Sequence, residues 1–566
     1  MQHMSQNIRS LSSLITDFQK SLRSTWTTAG SRALLGLAIS GGVDSMALAS
    51  LCHQFGQASP HLPSFVGFIV DHQLRLGSTE EAQKVAESLD RLHISPRVLT
   101  LDWSGYGPTG SLPNLESTAR RLRYQALGNA CRKEAITSLL VAHHADDQAE
   151  TVMLRLLGNY RGNGLRGIKR STPIPECEGI YGVHQSGQPR PWAPLEARGQ
   201  GCRSDMLIED GGLRIERPLL AFTKSQLTAY CNEQGIQWFE DHTNVDRTYT
   251  LRNTVRHLLN SNEIPHALRK PRLHRLTDVV AAREGRSEEL AQSIYSESQI
   301  TLDSRTGQAS ITLPGEISYS AMEDASAVAI LARKFLRLCS PATDLKLQEL
   351  DGFVRLLRND DKLSKGVADR CQLAGVDVLC VADESQRRYL KLQRSLPSKQ
   401  ERLQRQLILF KRQSNLAGSE WRLWDNRYWI WMEMHKEATY TEIEVRFLEP
   451  GDLAVVREKL DHGQRNLLKS SLSAVPGVSR YSLPAIVATQ TSQDGGIDHD
   501  VKQIVALPTL GWSAPGWQSW QAKAENGSTS VTTPNFWDVR YHYVEPQKVV
   551  HGGVAAPEAV AVHRNL

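Results

Sequence analysis

Residues Leu34 to Leu51 read LLGLAISGGVDSMALASL, and this stretch decides the fold. The apolar run Leu34 to Ile39 has the length and composition of a strand buried on both faces. Ser40-Gly41-Gly42-Val43-Asp44-Ser45 follows, and from Met46 to Leu51 the apolar residues continue as a helix. Strand, glycine-rich turn and helix together make an anion site. Glycines let the backbone approach a phosphate closely, and the helix N-terminus offers free N–H groups and a partial positive charge. Neither GxxxxGK[ST] nor GxGxxG stands at this turn, so it is neither a Walker loop nor a dinucleotide fingerprint. An ordinary turn capped by Asp44 or Ser45 is the bland alternative; six specified positions in this context argue against it. Asp44 offers hard oxygen ligands suited to Mg²⁺.

Working outward, Phe65 to Val70 reads as a second strand, ending at Asp71-His72. Leu74 to His93 reads as a helix and Ile94 to Leu101 as a third strand. This βαβαβ pattern predicts an α/β fold with a doubly wound, mainly parallel sheet. Ligands on such sheets lie beyond the carboxyl ends of the strands, where Ser40 to Ser45, Asp71 and His72 fall. A helix is expected from Asn114, a predicted N-cap, to Glu134. Glu116, Arg120 and Arg123 share one of its faces. That face is either a solvated salt-bridged one or a pair of arginines aimed at phosphates or RNA; the spacing leaves both open.

The next strand, Ile136 to Ala142, runs into His143-His144-Ala145-Asp146-Asp147-Gln148-Ala149-Glu150-Thr151. With a helix starting near Ala145, His143, Asp147 and Glu150 project from one side of its first turns. Carboxylates are favoured there by the helix dipole. Capping explains one of them, but not the cluster, which could bind a metal or clamp a cationic substrate.

Composition narrows the classes. The chain has 566 residues, 40% hydrophobic, with a net charge of +5, enough for two to four domains. The mildly basic balance is compatible with a nucleic-acid partner without requiring one. Eight cysteines contain no CxxC pair, which argues against zinc, thioredoxin-type and secreted disulfide frameworks and for reduced, intracellular thiols. No apolar run approaches the ~20 residues of a membrane span. Residues 1–33 are Ser/Thr-rich with one acid, Asp17. They read either as a mitochondrial transit peptide or, preferably, as a helix with Ile8, Leu11, Leu14, Ile15, Phe18 and Leu22 on one face. The compartment is mitochondrial on the first reading and cytoplasmic otherwise.

AISGGVDS, VDHQLR, NLESTARRLRY, LLVAHHADDQAETVMLRLLGNYRGNGLRGI and the segment Arg217 to Leu259 occur in this order. Together they resemble the tRNA(Ile)-lysidine synthetase family of the PP-loop ATP pyrophosphatase superfamily. One departure is His242, where that family usually has proline. The resemblance implies ATP and Mg²⁺ as cofactors, and a tRNA(Ile) with a CAU anticodon and free lysine as partners. It implies that C2 of the wobble cytidine is adenylated, with loss of pyrophosphate, and that lysine then displaces AMP to give lysidine. Carried over by motif, Ser40, Gly41, Gly42, Val43, Asp44, Ser45 and Asp71 would bind the nucleotide, with Asp44 on Mg²⁺. Arg120 or Arg123 would steady cytidine or adenylate. Asp147 and Glu150 would hold the lysine cation, and one of them or His143 would take its proton. The alternatives are a 2-thiocytidine-type sulfurtransferase and a non-catalytic tRNA-binding protein.

The expected organisation is an N-terminal helix or targeting segment (1–33) and a catalytic domain (34–260) interrupted by a mobile Gly/Pro-rich insertion without chemistry (171–213). A mostly helical basic tRNA-binding region (261–415), a small α+β domain (416–551) and a tail (552–566) follow. Arg252, Arg256, His257, Arg269, Lys270, Arg272, His274 and Arg275 form one basic tract. A second runs from Arg387 to Arg412 and reads as a one-signed helix, either fit to track phosphates or merely solvated. A homodimer is allowed.

Overall fold

The computed structural model describes residues 11–25, 33–58, 62–106, 114–191, 206–239, 251–261, 263–314, 323–358, 369–382, 388–412, 420–434, 440–473, 475, 477–494, 497–519 and 535–542. The expectations made for residues 1–10, His242, Arg387 and the tail lie outside these.

Helix α1 (Leu11–Thr25) precedes β1 (Leu34–Ile39), α2 (Val43–Gln57), β2 (Ser64–Asp71), α3 (Ser78–Arg91), β3 (Ser95–Thr100), α4 (Leu115–Lys133), β4 (Ser138–Leu140) and α5 (Ala145–Leu157). Then come β5 (Ser171–Pro173), β6 (Arg214–Glu216) and α6 (Lys224–Glu233). The six strands form one sheet in the order β3-β2-β1-β4-β6-β5, parallel except for β5. Both faces are covered, as the unbroken apolar strands require. Leu14, Phe18 and Leu22 of α1, Leu48 of α2, Val85 of α3 and Tyr230 of α6 bury one face. Phe68, Tyr124, Leu127 and Ile215 bury the other. The doubly wound reading is correct, and α1 is a working part of the core.

Helices α7 (Leu251–Asn260) and α8 (Lys270–Glu297) pack on α5 through Val152, Val255, Leu259 and Leu273. Beyond them the chain differs from the helical region expected over 261–415. β7 (Gln299–Asp303), β8 (Gln308–Thr312), α9 (Ala325–Leu336), α10 (Asp351–Arg358), β9 (Asp369–Leu373), β10 (Val376–Ala382) and β11 (Arg388–Arg394) build a five-stranded antiparallel sheet with helices. The basic stretch expected as one helix is strand, helix and strand: β11, α11 (Lys399–Gln404) and β12 (Leu407–Lys411). Leu390, Leu392 and Arg394 point inward at period two, and that alternation outweighs the helical spacing of the leucines further on.

The C-terminal part continues with β13 (Arg422–Trp424), β14 (Tyr428–Glu433), β15 (Glu442–Phe447), α12 (Asp452–Lys459), α13 (His462–Ser473), β16 (Pro484–Asp494), β17 (Ile497–Leu507), β18 (Trp512–Ser513), β19 (Trp517–Ser519) and β20 (Asn535–Tyr541). They make two sheets, ordered β12-β15-β16-β17-β18 and β13-β14-β20-β19. This part is α+β, as its alternating aromatic residues predict.

The described parts of the 171–213 insertion are packed, contrary to the mobile-loop expectation. Ile174, Cys177 and Val183 lie in the core beneath α4. Ile208 forms bridges to Arg190 and to Tyr541 of β20, so the insertion reaches the C-terminal sheet.

Candidate active site

The loop after β1 is shaped by Gly41. Its φ is +83°, and a Cβ there would lie 2.5 Å from Val85 Cγ2 of α3. Only glycine satisfies both the left-handed backbone and the close approach. Gly42 is the N-cap of α2. Ser45 Oγ donates to the Gly42 carbonyl (2.9 Å) and accepts from the Ser40 amide (3.3 Å), tying the loop to the first turn. Asp44 sits in that turn, the end of a helix that favours negative charge.

Opposite the loop, α5 begins at His144, its N-cap. Asp44 Oδ2 lies 3.5 Å from His144 Nε2 and 3.9 Å from Lys224 Nζ. Asp44 Oδ1 is buried without a hydrogen-bond partner among the described residues. Burial lowers the affinity of His144 for a proton, but the hydrogen bond with Asp44 and the charges of Asp147, Asp44 and Asp146 outweigh it, so its pKa is raised. His143 goes the other way. Burial, with the charges of Arg217, Arg252 and Arg120 acting in the same direction, pushes its pKa down to about 4 against the opposing pull of Asp147. Arg217 Nε donates to His143 Nδ1 at 3.3 Å, which fits a neutral ring. The two neighbouring histidines are thus shifted in opposite directions.

The acid cluster is not empty-handed. Arg252 reaches Asp147 (3.0 Å) and Glu150 (2.8 Å), and Arg256 reaches Glu150 (2.6 Å). Lys270 pairs with Asp146 at 2.6 Å. Glu150 is 3% exposed and Asp147 9%, so unpaired charges there would be costly. The guanidiniums themselves remain 45% and 37% exposed. Arg252, Arg256 and Lys270 of the first basic tract therefore serve the acid cluster. Sequence reading had both clusters but not their pairing, because more than a hundred residues separate them; the opposite charges and the i, i+4 spacing of Arg252 and Arg256 were the available signal. It also missed His144, Lys224 and Arg217.

The remaining candidates are spread around this centre. Asp71 is buried, and its oxygens accept from Ser78 Oγ, Thr79 Oγ1 and the Gln73 amide. Burial would raise its pKa, but these bonds hold it below the usual value. Its carboxylate is thus committed to the start of α3. Arg120 pairs with Glu176 at 2.7 Å and lies over the Tyr124 ring. Arg123 flanks the same ring and bears on His72, whose pKa is lowered first by burial and then by Arg123. Asn114 takes the N-cap position of α4 without a capping side-chain bond.

A family model described as a PP-loop domain matches residues 14–263. That part of the chain, which carries the parallel sheet, is similar to a PP-loop domain. The chain is 27% identical over 501 residues to a probable tRNA(Ile)-lysidine synthase of Schizosaccharomyces pombe, covering 88% of this chain and 96% of that relative. It is 32% identical over 217 residues to the tRNA(Ile)-lysidine synthase of a Bradyrhizobium species and 30% over 258 residues to that of Bradyrhizobium diazoefficiens. Those matches take in 38% and 46% of this chain and span about half the length of the bacterial relatives, 49% and 55%. A solved U34-tRNA thiolase of Methanococcus maripaludis aligns over 48% of this chain and 80% of its own at a TM-score of 0.35 and 14% identity, too slight a likeness to carry an argument. The glycine-rich turn Ser40 to Ser45 lies within the matched residues. Among the described residues no helix is long and apolar enough to cross a membrane.

Proposed function

We propose that this PP-loop enzyme ligates free lysine to C2 of the wobble cytidine of a CAU-anticodon tRNA(Ile), forming lysidine through an adenylated cytidine. The observation that carries the reading is the meeting of the PP-loop with the acid cluster of α5, joined by the Asp44–His144 contact. An ATP step and a cation-binding step then share one cleft. The cytidine oxygen attacks the α-phosphate of ATP and pyrophosphate leaves into the loop, where backbone N–H groups and the α2 dipole meet its growing charge. Lys224 adds a cation beside Asp44.

The free, buried Asp44 Oδ1 fits Mg²⁺. One carboxylate plus substrate phosphates is a usual seat for that ion, and when bound it would neutralise charge on the departing pyrophosphate. In the second step Asp147 and Glu150 attract the lysine ammonium. They also raise its pKa, so the amine must lose its proton late. His143, neutral and beside the cluster, or one of the carboxylates, takes it. Because Arg252 and Arg256 already neutralise the carboxylates, lysine binds by sharing or displacing these guanidiniums.

The sulfur-transfer alternative needs a reactive thiolate. Burial pushes Cys177, Cys231 and Cys339 up to about 12 and Cys371 and Cys380 up to about 11, the opposite of an activated thiol. For the compartment, we favour a retained α1 over a transit peptide running to residue 33, since Phe18 and Leu22 are part of the core.

The test is tRNA-dependent pyrophosphate exchange and uptake of labelled lysine into an unmodified CAU-anticodon tRNA. Uptake abolished by Asp44→Ala and by Asp147→Ala supports ligation. Adenylation without lysine uptake returns the sulfur alternative, and no tRNA-dependent turnover leaves only a binding protein.

A further inference from the structure

The inserted segment 171–213 grips the site from both sides, and we propose that its Glu176 is a positioning residue that holds Arg120 against the cytidine-adenylate site. This rests on the function proposed above. Arg120 is the half-exposed guanidinium whose charge bears on His143. Its only carboxylate partner among the described residues is Glu176, with Nε to Oε1 at 2.7 Å, while the Tyr124 ring supports it from below at 4.7 Å.

Glu176 is itself fixed. It lies in a one-turn 3-10 segment, Pro175–Cys177. Gln125 Nε2 donates to the Glu176 carbonyl (3.0 Å), and Cys177 Sγ donates to the Tyr124 carbonyl (3.2 Å). The Cys177 sulfur fills the space a side chain at Gly128 would need: a Cβ there would come within 2.8 Å of it. Two hydrogen bonds and a close packing contact therefore lock the turn to α4, one helical turn past Arg120. A carboxylate held this rigidly fixes the direction of the guanidinium it pairs with, which otherwise has several rotatable bonds to lose on binding substrate. A surface salt bridge between mobile side chains would do little of this.

The same insertion steadies the other side of His143. Arg217, which donates to His143, also donates through NH1 to Thr172 Oγ1 (3.0 Å) and the Lys169 carbonyl (2.9 Å). The segment read from sequence as inert thus orients the two arginines flanking the candidate base.

The experiment is a double-mutant cycle on the full chain with Glu176→Gln, Arg120→Ala and both. It is read as kcat and KM of tRNA-dependent pyrophosphate exchange and as Kd for a CAU anticodon stem-loop. Positioning predicts that Glu176→Gln lowers kcat by about tenfold with the KM for ATP unchanged, the order of loss expected of a misplaced catalytic side chain. It predicts partial rescue by Glu176→Asp, and no further loss when Glu176→Gln is added to Arg120→Ala. Additive losses in an active wild type overturn it, as does a fall in melting temperature that accounts for the whole effect. If the wild type takes up no lysine, the functional reading fails by itself. Coupling of the two residues in stem-loop binding would still uphold the positioning, and its absence would overturn that too.

Discussion

Gly41 and Asp44 set the terms at the residue scale. Gly41→Ala must place a methyl 2.5 Å from Val85 Cγ2 at a φ of +83°. The left-handed backbone alone costs about 1–2 kcal/mol, and relief of the clash moves the loop. Pyrophosphate exchange is expected to fall at least ~100-fold, because small displacements of a site cost that much, with only a few degrees lost in melting temperature. An active Gly41→Ala enzyme would show that the loop does not cradle the nucleotide. His144 supplies a pH prediction. Its folded pKa lies above the ordinary 6.5, so the stability it contributes is complete below pH 6.5 and is lost as pH rises through the raised value. Asp44→Asn removes the hydrogen-bonding charge and should move this alkaline loss to lower pH. Thermal midpoints from pH 6 to 9 would reveal an unchanged profile if the Asp44–His144 pair is idle. Asp44, His143, Asp147 and Glu150 could be assigned to strand-to-helix turns from sequence because each lies in one contiguous stretch, and the structure has them at the β1–α2 and β4–α5 turns. It could not say which of two adjacent histidines faces Asp44, since that depends on His144 taking the N-cap.

At the scale of elements, α1 and β11 show what periodicity can decide. Leu14, Phe18 and Leu22 recur at i, i+4, i+8 and are buried, so the helix was legible, whereas its seat against α2 has no local signal. Phe18→Ala empties a fully buried site, and truncations of this kind cost about 3–5 kcal/mol. Denaturant unfolding should show that loss. A change under ~1 kcal/mol would mean that α1 is detachable, and would revive the targeting reading. In the stretch from Arg388 to Lys411, by contrast, basic residues obscured the pattern. Arg394 reads as a surface cation, yet it is 1% exposed and shares Asp425 with Arg427 and Arg405. A buried ion cluster made by residues thirty apart has no local signature, so the sequence predicts a basic surface helix where the chain forms a strand.

For the whole molecule, the insertion joins the catalytic sheet to the C-terminal one, and its contacts titrate. His184 of the insertion stacks on His542, just past β20, with ring centroids 5.9 Å apart. Burial and then the Arg337 charge lower the pKa of His184 to about 4; burial, then His184 and Arg337, lower that of His542 to about 3. His542 Nδ1 accepts from Trp429 Nε1 at 3.1 Å, a bond that a protonated ring cannot accept. Both rings therefore stay neutral in the folded chain while their unfolded counterparts bind protons below pH 6.5. The unfolded state gains protons first, so stability falls as pH drops from 6.5 through about 4 and then about 3. The two sites together account for a loss on the order of a few kcal/mol. His184→Phe keeps the stacked ring and removes one titration, so its stability should decline less steeply between pH 6 and 4. Urea midpoints across that range decide the matter. A variant as acid-sensitive as the wild type would show that the junction between insertion and C-terminal sheet does not carry the acid response.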